Sequence, residues 1–246
     1  ATQAAQEHPE AFTWDGHCAQ ALQLGWAVEG DTVQPVACDQ PSVAPDVGAC
    51  LQRLPPAWRQ TALLSLAFAE DFASIQADSA RIPWMAVALP SHWAPQAKVG
   101  KHFAEVHAPV ADNRLLLAAA DGLARLVSAP ARWERFVWTF TPHPRLDAHP
   151  ERWGDIRWTP GAPDAVLAQA HWRTERQTFI PVPGAGQALF TIRVDVQPLA
   201  SALDTAAKAQ QVHDALASMS PAVLSYRGLS EVQAPLLAWL RQRASQ

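Results

Sequence analysis

The stretch from His171 to Leu199, HWRTERQTFIPVPGAGQALFTIRVDVQPL, constrains this chain more than any other. Two runs rich in β-branched and aromatic residues flank Pro183-Gly184-Ala185-Gly186, a pattern that predicts a β-hairpin over Thr174 to Val196. Strand alternation puts Arg176 on one face with Thr174 and Thr178, and Glu175 on the other with Arg173 and Gln177. Arg193 stands on the second arm. Three arginines and a glutamate on adjacent strands fit two arrangements. One is a pocket for an anionic group, which a planar guanidinium pairs bidentately. The other is a cross-strand ion network with no ligand at all.

The rest of the chain supplies a mixed set of elements. Residues 1–56, rich in Ala, Gln, Pro and Asp, read as an irregular N-terminal arm with one short strand at Leu24 to Val28. Pro55-Pro56 opens a helix over Ala57 to Ala67. Phe72 to Gln76 and Trp84 to Leu89 read as a second hairpin. A short helix or turn is expected over Ala97 to Val106, and a helix over Asn113 to Val127 with Asp112 as its cap. Glu134 to Thr141 alternates Phe136, Trp138 and Phe140 against Arg135, Val137 and Thr139, which predicts a strand with one aromatic face. Thr141 to Pro163 reads as a long loop of the kind that covers a site. Helices are expected over Ala202 to Leu216 and Glu231 to Arg243. Hairpin, helix, strand, hairpin, helices is the order of an α+β fold with an antiparallel sheet.

Composition narrows the function classes. Of 246 residues, 49% are hydrophobic and 17% charged, as in a globular chain with a substantial core. A net charge of −4 gives no basic surface for nucleic acid or membrane. The apolar runs are short and interrupted, so no span is expected, and the polar start lacks a signal-peptide core, which points to the cytoplasm. Cys18, Cys38 and Cys50 form no C-x-x-C pair and no covalent haem motif, and read as isolated thiols. Eleven tryptophans are enough to wall a planar group as well as to fill a core.

His107 stands out among the histidines. It lies between Val106 and Ala108-Pro109-Val110, an apolar setting that favours the neutral imidazole that binds iron. The other reading is a core histidine bonded to a backbone carbonyl. His102, five residues earlier, is a second choice as ligand or distal group. Asp195 ends an apolar strand, where an acid could hold an amine cation or relay a proton. No P-loop, no nucleotide fingerprint and no H-E-x-x-H zinc pattern is present.

Several blocks together carry a resemblance. They are Arg173-Thr-Glu-Arg-Gln-Thr178, the turn Pro183 to Gly186, Phe190-Thr-Ile-Arg193 and Pro198-Leu199. Ahead of these come Leu89-Pro-Ser-His-Trp93, Lys98-Val-Gly100 and Val106-His-Ala-Pro-Val110, with Arg132 to Arg135, Trp138 and Tyr226-Arg-Gly228. In order and spacing from about Ala69 to Gly228 the chain resembles the haem-dependent oxidative N-demethylase family. It departs where Val194-Asp195 replaces an expected Thr-Tyr. The resemblance implies a single haem-binding PAS-like α+β domain over residues 57–246, its sheet and flanking helices enclosing haem b, with residues 1–56 packed on it. It implies His107 as iron ligand, Arg176, Arg193 and Lys98 for the propionates, and Trp93 and Trp138 as pocket walls. Asp195 and His102 are then the candidate catalytic groups. The implied activity is oxidation of a small N-methylated amine with O2 to the demethylated amine and formaldehyde. Electrons would come from a separate flavin or iron–sulfur reductase, since this chain has neither motif. A non-catalytic haem-PAS sensor is the alternative.

Overall fold

A computed structural model describes residues 1–36, 45–154, 157–159 and 161–246. The chain divides into two compact units, Ala1–Phe72 and Ala73–Gln246. The first is more regular than its composition suggests. Strands β1 (Phe12–Trp14), β2 (Cys18–Ala21), β3 (Trp26–Glu29) and β4 (Thr32–Pro35) form an antiparallel meander. Helices Pro45–Arg53 and Pro56–Phe68 accompany it around a core of Phe12, Ala19, Ala21, Val28, Leu51 and Leu63. Strands of three or four residues, with alanine at several of the inward positions, leave almost no periodic signal, which is why the sequence reads there as an arm. Cys18 and Cys50 are free thiols; Cys38 lies outside the described residues.

The second unit is built on a five-stranded sheet. Its strands are β5 (Asp71–Gln76), β6 (Trp84–Ala86), β7 (Trp133–Thr141), β8 (His171–Val182) and β9 (Gln187–Pro198), in the order β6-β5-β9-β8-β7. The predicted hairpin is present and longer than expected, paired from His171 with Pro198 to Val182 with Gln187. Gly184 and Gly186 both take positive φ in its turn, a conformation that costs glycine nothing. β7 runs antiparallel to β8, with Trp133 opposite Phe179 and Thr141 opposite His171.

The two faces of this sheet are covered differently. On the outer face Phe140, Trp138 and Trp172 pack against a core from the helices Ala206–Ala217 and Gln233–Ala244. On the inner face Phe179 and Ala188, with Phe190 beside them, pack against Phe103, Ala120, Ala124 and Val127. These come from short helices between β6 and β7, Phe103–His107 and Ala120–Ser128, and Leu116 of the intervening helix Arg114–Ala118 packs against the same core. The helix expected from Asn113 breaks at Ala119. Asp112 does not cap it; that residue has φ of 54° and accepts a hydrogen bond from Ser220 Oγ.

Candidate functional site

The inner face carries a polar row that continues the apolar core along the strands. By alternation β8 sends Arg173, Glu175 and Gln177 inward, and β7 sends Arg135 to meet Gln177. Arg135 Nε donates to Gln177 Oε1 at 2.6 Å, and Gln177 Nε2 donates to Glu175 Oε2 at 2.6 Å. The other oxygen of Glu175 accepts from Ser91 Oγ. Ser91 Oγ in turn accepts from Arg173 Nε at 2.9 Å. Arg173 is 1% exposed, and its outer nitrogens donate to the carbonyls of Leu89, Arg145 and Leu146. The two long motifs of the sequence, Leu89 to Trp93 and Arg173 to Thr178, are therefore stitched together by Ser91.

One end of this row lies among histidines. His143 is buried and forms an edge-on ring pair with His92 at 5.8 Å. Burial holds the His143 imidazole down to about 4, with His92, Arg173, Arg145 and His171 adding positive charge around it. His92 is lowered as well, by burial first and by Arg173 second. Among the described residues no group of three or more His, Cys, Asp or Glu side chains could hold a metal ion.

The other end lies beside His107, the last residue of the helix Phe103–His107. Its Nδ1 sits 2.8 Å from the carbonyl of Phe103, and its ring packs against that phenylalanine, tilted by 30°, at 4.0 Å. A carbonyl only accepts, so Nδ1 carries the proton and Nε2 keeps its lone pair. Burial pushes this imidazole below its usual range; the carbonyl opposes that, and Arg135 and Lys98 add to it. Lys98 Nζ donates to the carbonyl of Val106 at 2.7 Å, so it ties down the end of the helix that bears His107. The Lys98 ammonium is lowered too, by burial and then by Lys101.

Beside this helix is a half-open recess of about 160 Å³, walled mainly by Ile75, Phe103, Leu123, Val127 and Phe179, with Arg135 on its lining. A neutral imidazole with a free Nε2, fixed through Nδ1 to a backbone carbonyl, is the donor that haem iron takes. By donor chemistry His107 fits an iron macrocycle. The recess as it stands is below the size of pockets that hold even drug-sized ligands, about 300 Å³ and up. The recess as it stands does not hold a porphyrin, and His107 is not among the residues that line it.

The other expected site residues fall elsewhere. Arg176 and Arg193 are direct cross-strand partners on the outer face, both exposed, so the sheet lies between them and His107. Arg176 Nε is bonded to Glu134 Oε2 at 2.6 Å, an exposed cross-strand ion pair. Asp195 is exposed on that same outer face and accepts from Gln197 Nε2. Trp138 is there too, stacked on Trp172 at 4.6 Å with Arg227 over its ring. Trp93 is half-buried beside His92. His102 is occupied as a helix cap. Its Nδ1 accepts from the backbone N–H of Ala104, its own N–H donates to Glu105, and its Nε2 meets Asp121 at 3.0 Å. Sequence reasoning missed Ser91, Arg135, Gln177 and His143. Alternation along β7 and β8 carried a signal for Arg135 and Gln177; nothing local marked Ser91 or His143.

Among the described residues no helix is long and apolar enough to cross a membrane. A family model described as haem-dependent oxidative N-demethylase, alpha subunit-like, matches residues 51–237. That span holds every strand of the second unit, the Ser91–Glu175 link and His107. With well over half of its length matched, the chain belongs to the family of haem-dependent oxidative N-demethylase alpha subunit-like proteins.

Proposed function

We propose that this chain binds haem b through His107 Nε2 and acts as the haem subunit of an oxidative N-demethylase. The observation that carries the reading is the ring of His107: neutral by burial, protonated on Nδ1 against the Phe103 carbonyl, with no hydrogen bond at Nε2 among the described residues. The five-stranded antiparallel sheet, with the helices of 103–128 inserted between β6 and β7 over one face, supports the PAS-like part of it. No C-x-x-C-H motif is present, so the group would be held by coordination and packing rather than by thioether bonds.

When bound, haem supplies the activation of dioxygen that removes hydrogen from a methyl group, which no side chain can do. This chain's residues would do the rest. His107 fixes the iron, and the Phe103 carbonyl sets the tautomer and aim of its ring. Lys98 anchors the helix end through Val106, and Phe103, Phe179 and Val127 keep water from the adjoining space. The overall reaction takes an N-methylated amine, dioxygen, two electrons and two protons to the demethylated amine, formaldehyde and water. The chain has no flavin motif and no cysteine set for an iron–sulfur cluster, so the electrons would arrive from a separate reductase subunit.

Absorption spectra test the iron ligand. Haem-reconstituted protein should show a Soret band that His107→Ala shifts or abolishes while His17→Ala, at an exposed site, leaves it unchanged. Equal spectra for the two variants would remove His107 from the role. With a chemical reductant and oxygen, dimethylamine and related small amines should yield formaldehyde. A haem-loaded protein that yields none across such a panel would favour the sensor.

A further inference from the structure

The recess beside helix Ala120–Ser128 has a chemistry that the haem reading does not use. Its walls are apolar, and its volume of about 160 Å³ is close to that of an apolar cavity that takes up benzene. Arg135 lines it. The guanidinium is held in place from one side only: Nε donates to Gln177 Oε1, and the group lies over the Phe179 ring at 5.8 Å. Gln177 is 6% exposed and is itself fixed by Glu175, so the guanidinium is anchored at Nε on a buried partner. Among the described residues no hydrogen bond is made by its two outer nitrogens. Glu134, which also lines the recess, gives its carboxylate to Arg176 on the outer face. Arg135 is an exposed residue at the rim of the recess; the cover it does have lowers its guanidinium below the usual range, and Glu175 opposes this.

A pre-aimed guanidinium with its outer edge unspent, at the wall of a small apolar recess, matches one class of ligand. We propose that the recess binds a small apolar carboxylate, its tail among Phe103, Leu123, Val127 and Phe179 and its carboxylate paired edge-on with the outer nitrogens of Arg135. The planar fork of arginine fits a carboxylate bidentately, and desolvation by the apolar wall strengthens that pair. A neutral molecule of the same shape would gain the burial but leave the guanidinium without a counter-ion. The inference goes beyond the haem reading and needs no iron. A free acid and the propionate of a larger group both carry this carboxylate, and the two sources are separable.

Calorimetry and side-chain NMR with benzoate and benzyl alcohol test it on the full chain. Benzoate is expected to bind at least about tenfold more tightly than benzyl alcohol, the worth of one charge-assisted pair. Arg135→Met should erase that preference while retaining weak binding of both. Leu123→Trp should fill the recess and abolish both. Should that variant fail to fold, benzoate-induced shifts at the Leu123 methyls and Phe179 ring of the wild-type chain give the same reading. Equal affinity for the two probes, or a preference that survives Arg135→Met, would overturn the proposal. Haem that displaces benzoate when its dimethyl ester does not would place a propionate on Arg135; benzoate retained in haem-loaded protein would make the occupant a free acid.

Discussion

Arg173 is the side chain on which the inner face of the sheet depends most, and its removal has a size that can be worked out. The guanidinium, 1% exposed, donates at 2.9 Å to Ser91 Oγ, at 3.1 Å to the Arg145 carbonyl, at 2.9 Å to Leu146 and at 3.4 Å to Leu89. Arg173→Met keeps the apolar stem and removes every donor. Each carbonyl left without a partner costs roughly 1 kcal/mol where water can re-enter and up to about 3 where it cannot. Arg145 and Leu146 are exposed residues, which puts their carbonyls at the low end. Against this stands the relief of no longer burying a charge. The balance is a loss of about 3 kcal/mol. Arg173→Lys should recover only part of it, because one ammonium cannot reach acceptors on both loops. Urea unfolding of the second unit, followed by tryptophan fluorescence, gives the magnitude. Hydrogen exchange gives the location: the Ala148 amide, bonded to the Pro90 carbonyl, and the His92 amide, bonded to the Ala148 carbonyl, should lose protection first. A Met variant as stable as the parent, with those two amides still protected, would refute the assignment of Arg173 as the clamp between these loops.

Three other outcomes are expected. His143, held down to about 4 when folded against about 6.5 when free, takes up its proton mainly in the unfolded state between those values. Its contribution is therefore complete above about pH 6.5 and is lost as pH falls toward 4, with a slope of at most about 1.4 kcal/mol per pH unit. The slope of stability against pH in that window should be smaller in His143→Gln than in the parent, and equal slopes would contradict the burial argument. Gly48, buried in helix Pro45–Arg53, lies flat under the Trp26 ring, and an added Cβ would collide with it. Gly48→Ala should thus destabilise the first unit by about 1–3 kcal/mol, measured by the near-ultraviolet dichroism of Trp26 on heating, where an ordinary helical site would gain about 1. Finally, if haem seats beside His107, the amides of Leu123 to Val127 should exchange faster in the loaded protein than in the free one, since the recess of about 160 Å³ cannot hold a porphyrin with that helix in place. Unchanged exchange there, with the Soret band present, would mean that the macrocycle lies elsewhere.

The hairpin of β8 and β9 was legible because period-two alternation, a Pro-Gly turn and β-branched residues all agree over a dozen residues on each arm. The aromatic face of β7 was legible for the same reason. The meander of the first unit was not, because β1 to β4 are too short to show a period and alanine marks neither face. The break at Ala119 was hidden by leucine and alanine spacing that suits one long helix as well as two short ones. His107 was marked by its apolar neighbours, but the feature that equips it for iron, the bond from Nδ1 to a carbonyl one turn back, is visible only in three dimensions. Ser91 carries no signal of its own; its place between Arg173 and Glu175 exists only once segments more than eighty positions apart are brought together.

The separation of Arg176, Arg193 and Asp195 from His107 has a single physical cause. A motif read as a string, Arg-Thr-Glu-Arg-Gln-Thr, is divided by the sheet into two sets that never meet. The odd set, Arg173, Glu175 and Gln177, goes inward, is half-buried or buried, and is bonded in a row that ends at Arg135. The even set, Thr174, Arg176 and Thr178, faces outward with Arg193 and Asp195 opposite, where Glu134 meets Arg176 in an exposed pair of the kind worth at most about 1 kcal/mol. Of the two starting possibilities, the outer face shows the ion pair of Arg176 with Glu134, and the inner face an ordered polar row that ends at Arg135. A site on the inner face cannot recruit Arg176 or Arg193 without a twist that would turn Arg173 out into water, and the four hydrogen bonds of that one guanidinium oppose the turn. The charged groups that act on His107 are accordingly Arg135 and Lys98, while Arg176 and Arg193 stand on the opposite face of the sheet.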